Sequence, residues 1–495
     1  MRPLVLRRCL STKHDFSVTP TTFNYRLPSR DYPYDCVLSP FSPFTPVFSN
    51  LSTHPLDKST PSQFFDSFPL TNSHRLKKND QRPTKVKMLA SDFIEDSLYN
   101  PNYGYFPTQA EIFQTEKPFD YSKLKDSDEF MDKWQEQYSR YSGNGAQLQL
   151  WHTPTELFQP FYGEAIARYL LVNYKLNLYP YADLIIYEIG GGNGTLMMNI
   201  LDYIKKNDPD VYSRTKYRII EITKPLSEKQ KLRSLHRKLS SKGHSPDAVQ
   251  IINKSILDWD EVVPEPCFVI GMEVLDNLSH DVVKYDVHTG KPYQGYVVID
   301  AKGDFHQFFT DELEEWTKLY LELRGNHHLQ SSPWKMLLND EQIHPLNSLP
   351  VIPKLQNYLS PFKNSLTESE FVPTSLLKLF NVLSTFFPEH QLLLADFDSL
   401  SETSRGFNAP VVQTMLDSKM ATASTFMVHQ GYFDIMFPTD FKVSKDIYVQ
   451  MTGKLVETTK HEEFLNTWGD VEATRTKNGE NLMLELYQNA AFLHS

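Results

Sequence analysis

The chain has 495 residues, enough for one or two sizeable cores, and its 40% hydrophobic and 22% charged content is an ordinary balance for a globular protein. A formal charge of −11 argues against a nucleic-acid binder held by phosphate contacts, and no run of about 18 apolar residues offers a membrane span. Cys9, Cys36 and Cys267 are scattered, with neither metal spacing nor a disulfide framework, which suits a reducing compartment.

The first thirteen residues carry Arg2, Arg7, Arg8 and Lys13, with no acid before Asp15. Arginine-rich, acid-poor and followed by Ser and Thr, residues 1–15 have the composition of a mitochondrial transit peptide. Residues 16–85 are dense in Pro, Ser and Thr, contain no glycine, and are expected to form a disordered linker. Order is expected from Val86, with a short amphipathic helix over 88–99 and an aromatic turn through Asn100-Pro101-Asn102-Tyr103-Gly104. Residues 117–141 are charged and read as partly helical. Thr153-Pro154-Thr155-Glu156 is a helix start: a hydroxyl N-cap, a proline at the first helical position and a glutamate at the third. Residues 86–180 thus read as an N-terminal helical region.

Residues 184–189, Leu-Ile-Ile-Tyr-Glu-Ile, are a short apolar run of the kind that forms a buried parallel strand. Gly190, Gly191, Gly192 and Gly194 follow at once, four of the chain's 19 glycines. Then Leu196, Ile200 and Ile204 recur four apart, with Met197 and Leu201 in the same stripe, as in a helix. Strand, glycine loop and helix bring a ligand onto bare backbone N–H groups. A dinucleotide fingerprint needs G-x-G-x-x-G. Here the spacing is G-x-G-x-G with Glu188 two residues ahead, which resembles the loop of S-adenosylmethionine methyltransferases. Gly190, Gly192 and Gly194 would let the methionine and ribose parts lie against the strand end without a Cβ in the way. A nicotinamide-binding oxidoreductase is the competing reading that this spacing disfavours.

Residues 216–222 read as the second strand, ending at Glu221, where an acid accepts hydrogen bonds from both ribose hydroxyls in a doubly wound sheet. A basic amphipathic helix is expected over 226–239 and a third strand over 249–252. In the methyltransferases that the glycine loop resembles, the turn after this strand lies over the adenine, which would set Ser255 and Ile256 against its edge. The fourth strand, 267–272, leads into Glu273-Val274-Leu275-Asp276, two carboxylates that could grip a guanidinium through bidentate, charge-assisted bonds. Alternating stretches at 282–285, 295–300 and 304–309 read as paired strands, 310–324 as helix, and the proline-bearing residues 326–372 as an irregular insertion. A helix over 373–383 and a buried strand over 390–398 follow. Residues 426–428 and 431–441 are expected to close the sheet, and 482–493 to form a C-terminal helix. The histidines are isolated, so no metal site is expected.

Four motifs together resemble the MidA-type methyltransferases: Ser97 through Tyr105, Glu188 through Met197, Glu273 through Leu278, and Gly431 through Phe441. Their order and rough spacing hold from about 86 to 450. The resemblance implies a Rossmann-like class I methyltransferase fold: an α/β, mostly parallel doubly wound sheet over 181–495, with the helical N-terminal extension and the insertion. It also implies S-adenosyl-L-methionine as cofactor, bound by Glu188, Gly190, Gly192, Gly194, Glu221, Ser255 and Ile256, with Glu273 and Asp276 as catalytic residues. The implied activity is methylation of an arginine in a protein of the mitochondrial matrix, a respiratory-complex subunit among the candidates. The chain departs from the family pattern at Gly191, Met272, Ser279, Asp398, Met436 and Pro438. The departures on the substrate side motivate an alternative: a non-catalytic assembly or scaffold protein that keeps the fold.

Overall fold

The computed structural model describes residues 24–26, 61–142, 149–222, 235–330, 366–401 and 409–495, apart from positions 114, 116, 236, 287, 288, 417 and 418. The transit segment 1–15, most of the helix expected over 226–239 and the bulk of the 326–372 insertion lie outside the described residues.

The described residues include part of the segment expected to be linker. After the three-residue strand β1 (Asn24–Arg26) come α1 (Pro61–Asp66) and α2 (Ser73–Leu76), which bury Phe65 and Leu76. Phe65 packs edge-on against Tyr296 at 5.5 Å, and the ammonium of Lys87 lies 3.8 Å from its ring centre. Phe65 of this proline-rich segment therefore packs on a neighbour, as phenylalanines there could.

Strand β2 (Val86–Leu89) precedes helix α3 (Ala90–Tyr99). The small parallel pair β3 (Ala110–Ile112) and β4 (Gln149–Trp151) brackets α4 (Ser127–Ser142). Helix α5 (Pro154–Leu157) opens as expected, Thr153 accepting a hydrogen bond from the Glu156 N–H at 3.2 Å, and α6 (Phe161–Asn177) follows. Strand β5 (Leu184–Ile189) is buried at all six positions. Leu184 and Ile186 face the α6 side, whereas Ile185, Tyr187 and Ile189 face the opposite core. Helix α7 (Thr195–Asn207) crosses α6 so closely that a Cβ on Gly163 would stand 2.5 Å from that of Asn199.

Strands β6 (Thr215–Glu221), β7 (Val249–Asn253) and β8 (Cys267–Met272) match the expected stretches. The long excursion after β8 forms β9 (Asp281–Tyr285), β10 (Pro292–Ile299), β11 (Phe305–Thr310), α8 (Glu315–Gln330), β12 (Glu370–Val372) and α9 (Thr374–Phe386). Strand β13 (His390–Phe397) returns to the main sheet. Then come β14 (Val411–Leu416), β15 (Lys419–Ala423), β16 (Asp434–Met436), α10 (Phe441–Thr452), β17 (Glu457–Lys460), α11 (His461–Trp468), α12 (Leu482–Glu485) and β18 (Ala490–His494).

The main sheet runs β17-β18-β13-β8-β5-β6-β7. From β13 to β7 its neighbours are parallel, and β18 enters antiparallel to both β13 and β17. Two expectations are corrected here. Residues 490–494 are a strand, not the end of a helix, and they, with β17, complete the sheet. Residues 431–441 do not close it: β16 pairs with β14 in a separate three-stranded sheet. A six-stranded sheet is built on β9, β10, β11 and β12, with β1 on β11 and β2 on β10. The 86–180 stretch carries helices α3 to α6, and its first strand joins the sheet formed by the excursion after β8.

Polar and stacking contacts lock the leader, the first of the four motifs with Asp96 just ahead of it, to the last motif. Asp96 accepts hydrogen bonds from Tyr103 Oη at 2.8 Å and from Gln430 Nε2 at 2.8 Å. Arg82 lies over the rings of Tyr103 and Tyr432 and donates to the Gln430 carbonyl. Gly431 has φ +83°, and a Cβ there would overlap the Tyr103 carbonyl oxygen. Gly303 has a similar φ of +87° with nothing within 4 Å. Gly303→Ala should therefore cost only the left-handed penalty, about 1 kcal/mol. Gly431→Ala should cost at least about 2 kcal/mol more, because backbone must move. Urea unfolding of the two variants checks this; equal losses would refute the packing role of Gly431.

Candidate active site

The order of the main sheet reverses between β5 and β8, so their loops diverge and leave a crevice beyond the carboxyl ends of the strands. The glycine loop fills one side of it. Gly190, Gly192 and Gly194 have φ of +72°, +49° and +73°, and Gly194 begins α7. At Gly192 the positive φ calls for glycine, and an added Cβ would press on the movable end of the Ile112 side chain of β3 at 2.9 Å. Gly191, where the family pattern has proline, faces Ile219, whose Cγ2 would lie 2.5 Å from an added Cβ.

The other expected cofactor residues fall unevenly. Glu221 ends β6 in register with Asn253, half-buried at the crevice, and its Oε1 accepts from the Ile222 N–H at 3.1 Å. Glu188 braces the sheet from within: it is fully buried, and its Oε2 accepts from Tyr217 Oη of β6 at 2.9 Å. Burial pushes its carboxyl up to about 8. Ser255 uses its hydroxyl to cap the turn after β7, accepting from the Leu257 N–H, and the Ile256 side chain packs in the core with Trp259. Contact with an adenine edge at these two positions would thus fall to backbone groups.

The carboxylates after β8 form a larger group than the sequence indicates. Glu273 sits at φ +55°, rare for a residue with a side chain, and its N–H is tied to the Ala395 carbonyl of β13 at 2.8 Å. Its carboxylate lines a cavity with Tyr162, Asp396, His461 and Tyr487. Asp396, the last acid inside β13, accepts from the N–H groups of Leu275, Asp276 and Phe397 at 2.6, 3.1 and 2.7 Å. Asp276 is buried, and its Oδ1 has no partner among the described residues. Asp434 of β16 accepts from Asn277 Nδ2 at 2.8 Å. Burial raises all four carboxyls, Asp396 to about 6 and Asp434 to about 7; the neighbouring acids add to the effect at Glu273 and Asp276.

The structure therefore brings Glu273 and Asp276 to one place, as expected, and adds Asp396 and Asp434. Both were visible in sequence only as an acid at a strand end and an acid inside the last motif. Tyr99 is a further addition. It stacks on Phe106 at 5.2 Å, donates toward the Asn277 carbonyl at 3.4 Å, and feels Asp276, Asp434 and Glu221 together. The leader motif thus roofs the junction between the acid group and the ribose-side acid.

One orphaned group lies at the glycine loop. Glu156 is buried; its Oε1 accepts from Thr195 Oγ1 at 2.8 Å and Asn193 Nδ2 at 3.1 Å, while Oε2 has no partner. A loop of four glycines whose one side chain, Asn193, is held by Glu156, an acid at the end of β6 and an unpaired buried carboxylate oxygen fit a ligand with a ribose and an ammonium group. S-adenosyl-L-methionine has both.

Comparison with known proteins decides the family. The sequence profile of the family described as "Putative S-adenosyl-L-methionine-dependent methyltransferase" matches residues 165–458. The chain belongs to this family. Its cofactor is S-adenosyl-L-methionine. Two curated relatives are similar: the Schizosaccharomyces pombe protein arginine methyltransferase NDUFAF7 homolog, mitochondrial, 25% identical over 62% of this chain, and the Saccharomyces cerevisiae protein of the same name, 24% identical over 68%. The chain spans 64% of the length of the fission-yeast relative and 79% of the budding-yeast one. A solved Burkholderia thailandensis structure bound to S-adenosyl-homocysteine covers 83% of this chain and 88% of its own, at 12% identity and a TM-score of 0.48.

The bracing role of Glu188 can be measured. Its carboxyl stays protonated in the folded chain up to about pH 8, whereas in the unfolded chain it ionises near its usual value of about 4.3. The unfolded state binds fewer protons in that window, so this group lowers stability as pH rises through it. Glu188→Gln, neutral at every pH, should match the wild type below pH 4 and gain about 2–4 kcal/mol over it above pH 8. Urea unfolding at a series of pH values checks this; a difference independent of pH would show that the carboxyl is not held protonated.

Proposed function

We propose that the chain is a mitochondrial methyltransferase that modifies an arginine side chain of a matrix protein. The observation that carries this reading is the group of carboxyls after β8, Glu273 and Asp276 with Asp396, beside the glycine loop. The names of the two yeast relatives support arginine and mitochondrion, and the basic, acid-poor residues 1–13 support import.

Bound S-adenosyl-L-methionine supplies an electrophilic methyl group. Everything else falls to this chain's residues. Glu221 would hold the ribose hydroxyls. Glu273 would grip the guanidinium through two parallel charge-assisted hydrogen bonds, and the neighbouring acids would add to its field. Several carboxyls sharing one buried space cannot all be charged while it is empty. A guanidinium would supply the missing positive charge and allow them to ionise. Fixing one terminal nitrogen on line with the methyl group accounts for most of what this transfer needs. As the nitrogen gains a methyl group it sheds a proton, and the Glu273 carboxylate that grips it would accept that proton.

The test uses the full chain with S-adenosyl-L-methionine and arginine-containing protein from mitochondria as acceptor. The wild type should bind the cofactor with micromolar affinity and transfer labelled methyl to arginine. Gly192→Val should lose binding, because its positive φ is one that a β-branched residue rarely adopts. Glu273→Gln should keep cofactor affinity and lose about 100-fold or more of transfer. Full transfer by Glu273→Gln would remove the assigned role. Cofactor binding without any product would favour the scaffold reading.

A further inference from the structure

Helix α5 opens with the sequence of a capping box, in which the third-position glutamate folds back onto the N-cap N–H. Glu156 does not make that contact. Thr153 caps the helix alone, and the Glu156 carboxylate turns to the glycine loop. Oε1 is fully used there, taking Thr195 Oγ1 from the first residue of α7 and Asn193 Nδ2 from inside the loop. The Asn193 amide also reaches the Ile112 carbonyl of β3 at 3.4 Å. Oε2, on the same carboxylate, is buried and unpaired, and the residue as a whole is 2% exposed. No ion pair to Glu156 occurs among the described residues; the nearest cation, Lys238, is exposed and acts only at a distance.

A carboxylate oxygen left buried without a donor is costly, and the burden exceeds that of a neutral group. Had Glu156 served only to hold Thr195 and Asn193, a glutamine would supply the same acceptor oxygen with no charge to bury. The charge needs a cationic donor, and the ligand of this loop carries one. The amino-acid end of S-adenosyl-L-methionine bears an ammonium with three N–H donors, and its adenosine end bears none.

We propose that Glu156 is a cofactor-binding residue: Oε1 fixes the glycine loop while Oε2 accepts a hydrogen bond from the ammonium group of S-adenosyl-L-methionine. One carboxylate then couples loop order to ligand capture. Helix α5 becomes part of the site, although residue 156 lies ahead of the segment matched by the family profile. Binding exchanges an orphaned oxygen for a charge-assisted bond.

The test measures binding to the full chain by calorimetry, with S-adenosyl-homocysteine and its deaminated analogue, which keeps the carboxylate and lacks the ammonium. The wild type should prefer the amino form by about tenfold or more. In Glu156→Gln that preference should vanish, while the deaminated analogue binds as it does to the wild type. This cycle separates ammonium recognition from loop support. An equal loss for both ligands would make Glu156 a purely structural residue and overturn the proposal; so would a preference fully retained in the variant. The wild-type arm stands without the variant: equal affinity for the two ligands in the wild type refutes the proposal by itself. Binding of neither ligand by the wild type would instead strike at the cofactor assignment on which the proposal rests.

Discussion

Four carboxyl groups, Glu273 and Asp276 after β8, Asp396 near the end of β13 and Asp434 of β16, are buried together, and none of them forms an ion pair among the described residues. Much of the architecture answers this constraint. Asp396 is offset by three backbone N–H groups, two of them from the loop after β8, so the acid on β13 sets the path of the chain that carries Glu273 and Asp276. The left-handed conformation of Glu273 is held by the same pairing, through the Ala395 carbonyl. Backbone donors, unlike a lysine or arginine, soften the charge without cancelling it. The group therefore has no cationic partner among the described residues, which agrees with the guanidinium site proposed above.

Such a site must also exclude water, and here the distant ends of the chain meet. The leader runs from Asp96 to Tyr105 and touches the segment around Gly431 through hydrogen bonds, a stacked guanidinium and one backbone approach that admits no Cβ. Tyr99 then reaches from this junction to the Asn277 carbonyl. The first and last of the four family-like motifs are therefore one structural unit, and that unit is the roof of the acid group.

The parts of the fold that could be read from sequence are those whose pattern is local. The buried run of β5, the positive-φ glycines and the periodic helix α7 each announce themselves within a few residues, and β6, β7, β8 and β13 fall where their apolar runs end in polar turns. What could not be read depends on distant partners. Ala490–His494 is apolar on both faces because it lies inside the sheet, and a short apolar run of that kind does not distinguish strand from buried helix. Strand β16 has three residues, too few to indicate which sheet it joins. Asp396 and Asp434 were visible as acids, but only the fold sets them around Asp276. Glu156 carried a misleading signal: its capping-box spacing is real, and its carboxylate is used elsewhere.

The departures from the family pattern bear on the choice between enzyme and scaffold. Met272 accepts a weak hydrogen bond from Tyr162 Oη at 3.8 Å, and Ser279 pairs with Ser375 at 2.7 Å, so both altered positions have local partners. Pro438 lies between two residues whose N–H groups are both used: Phe437 donates to the Asp276 carbonyl and Thr439 to that of Phe397. In an extended segment the intervening N–H points the other way, so proline there costs neither bond. None of these substitutions falls on a carboxyl of the group, on Glu221 or on a positive-φ glycine. They leave the acid group intact. A chain released from catalysis would have no reason to keep four buried acids unpaired by any cation, because neutral residues of the same shape would be less costly. Their retention, at a place where the backbone is bent to accommodate them, favours an enzyme with an altered acceptor over a scaffold.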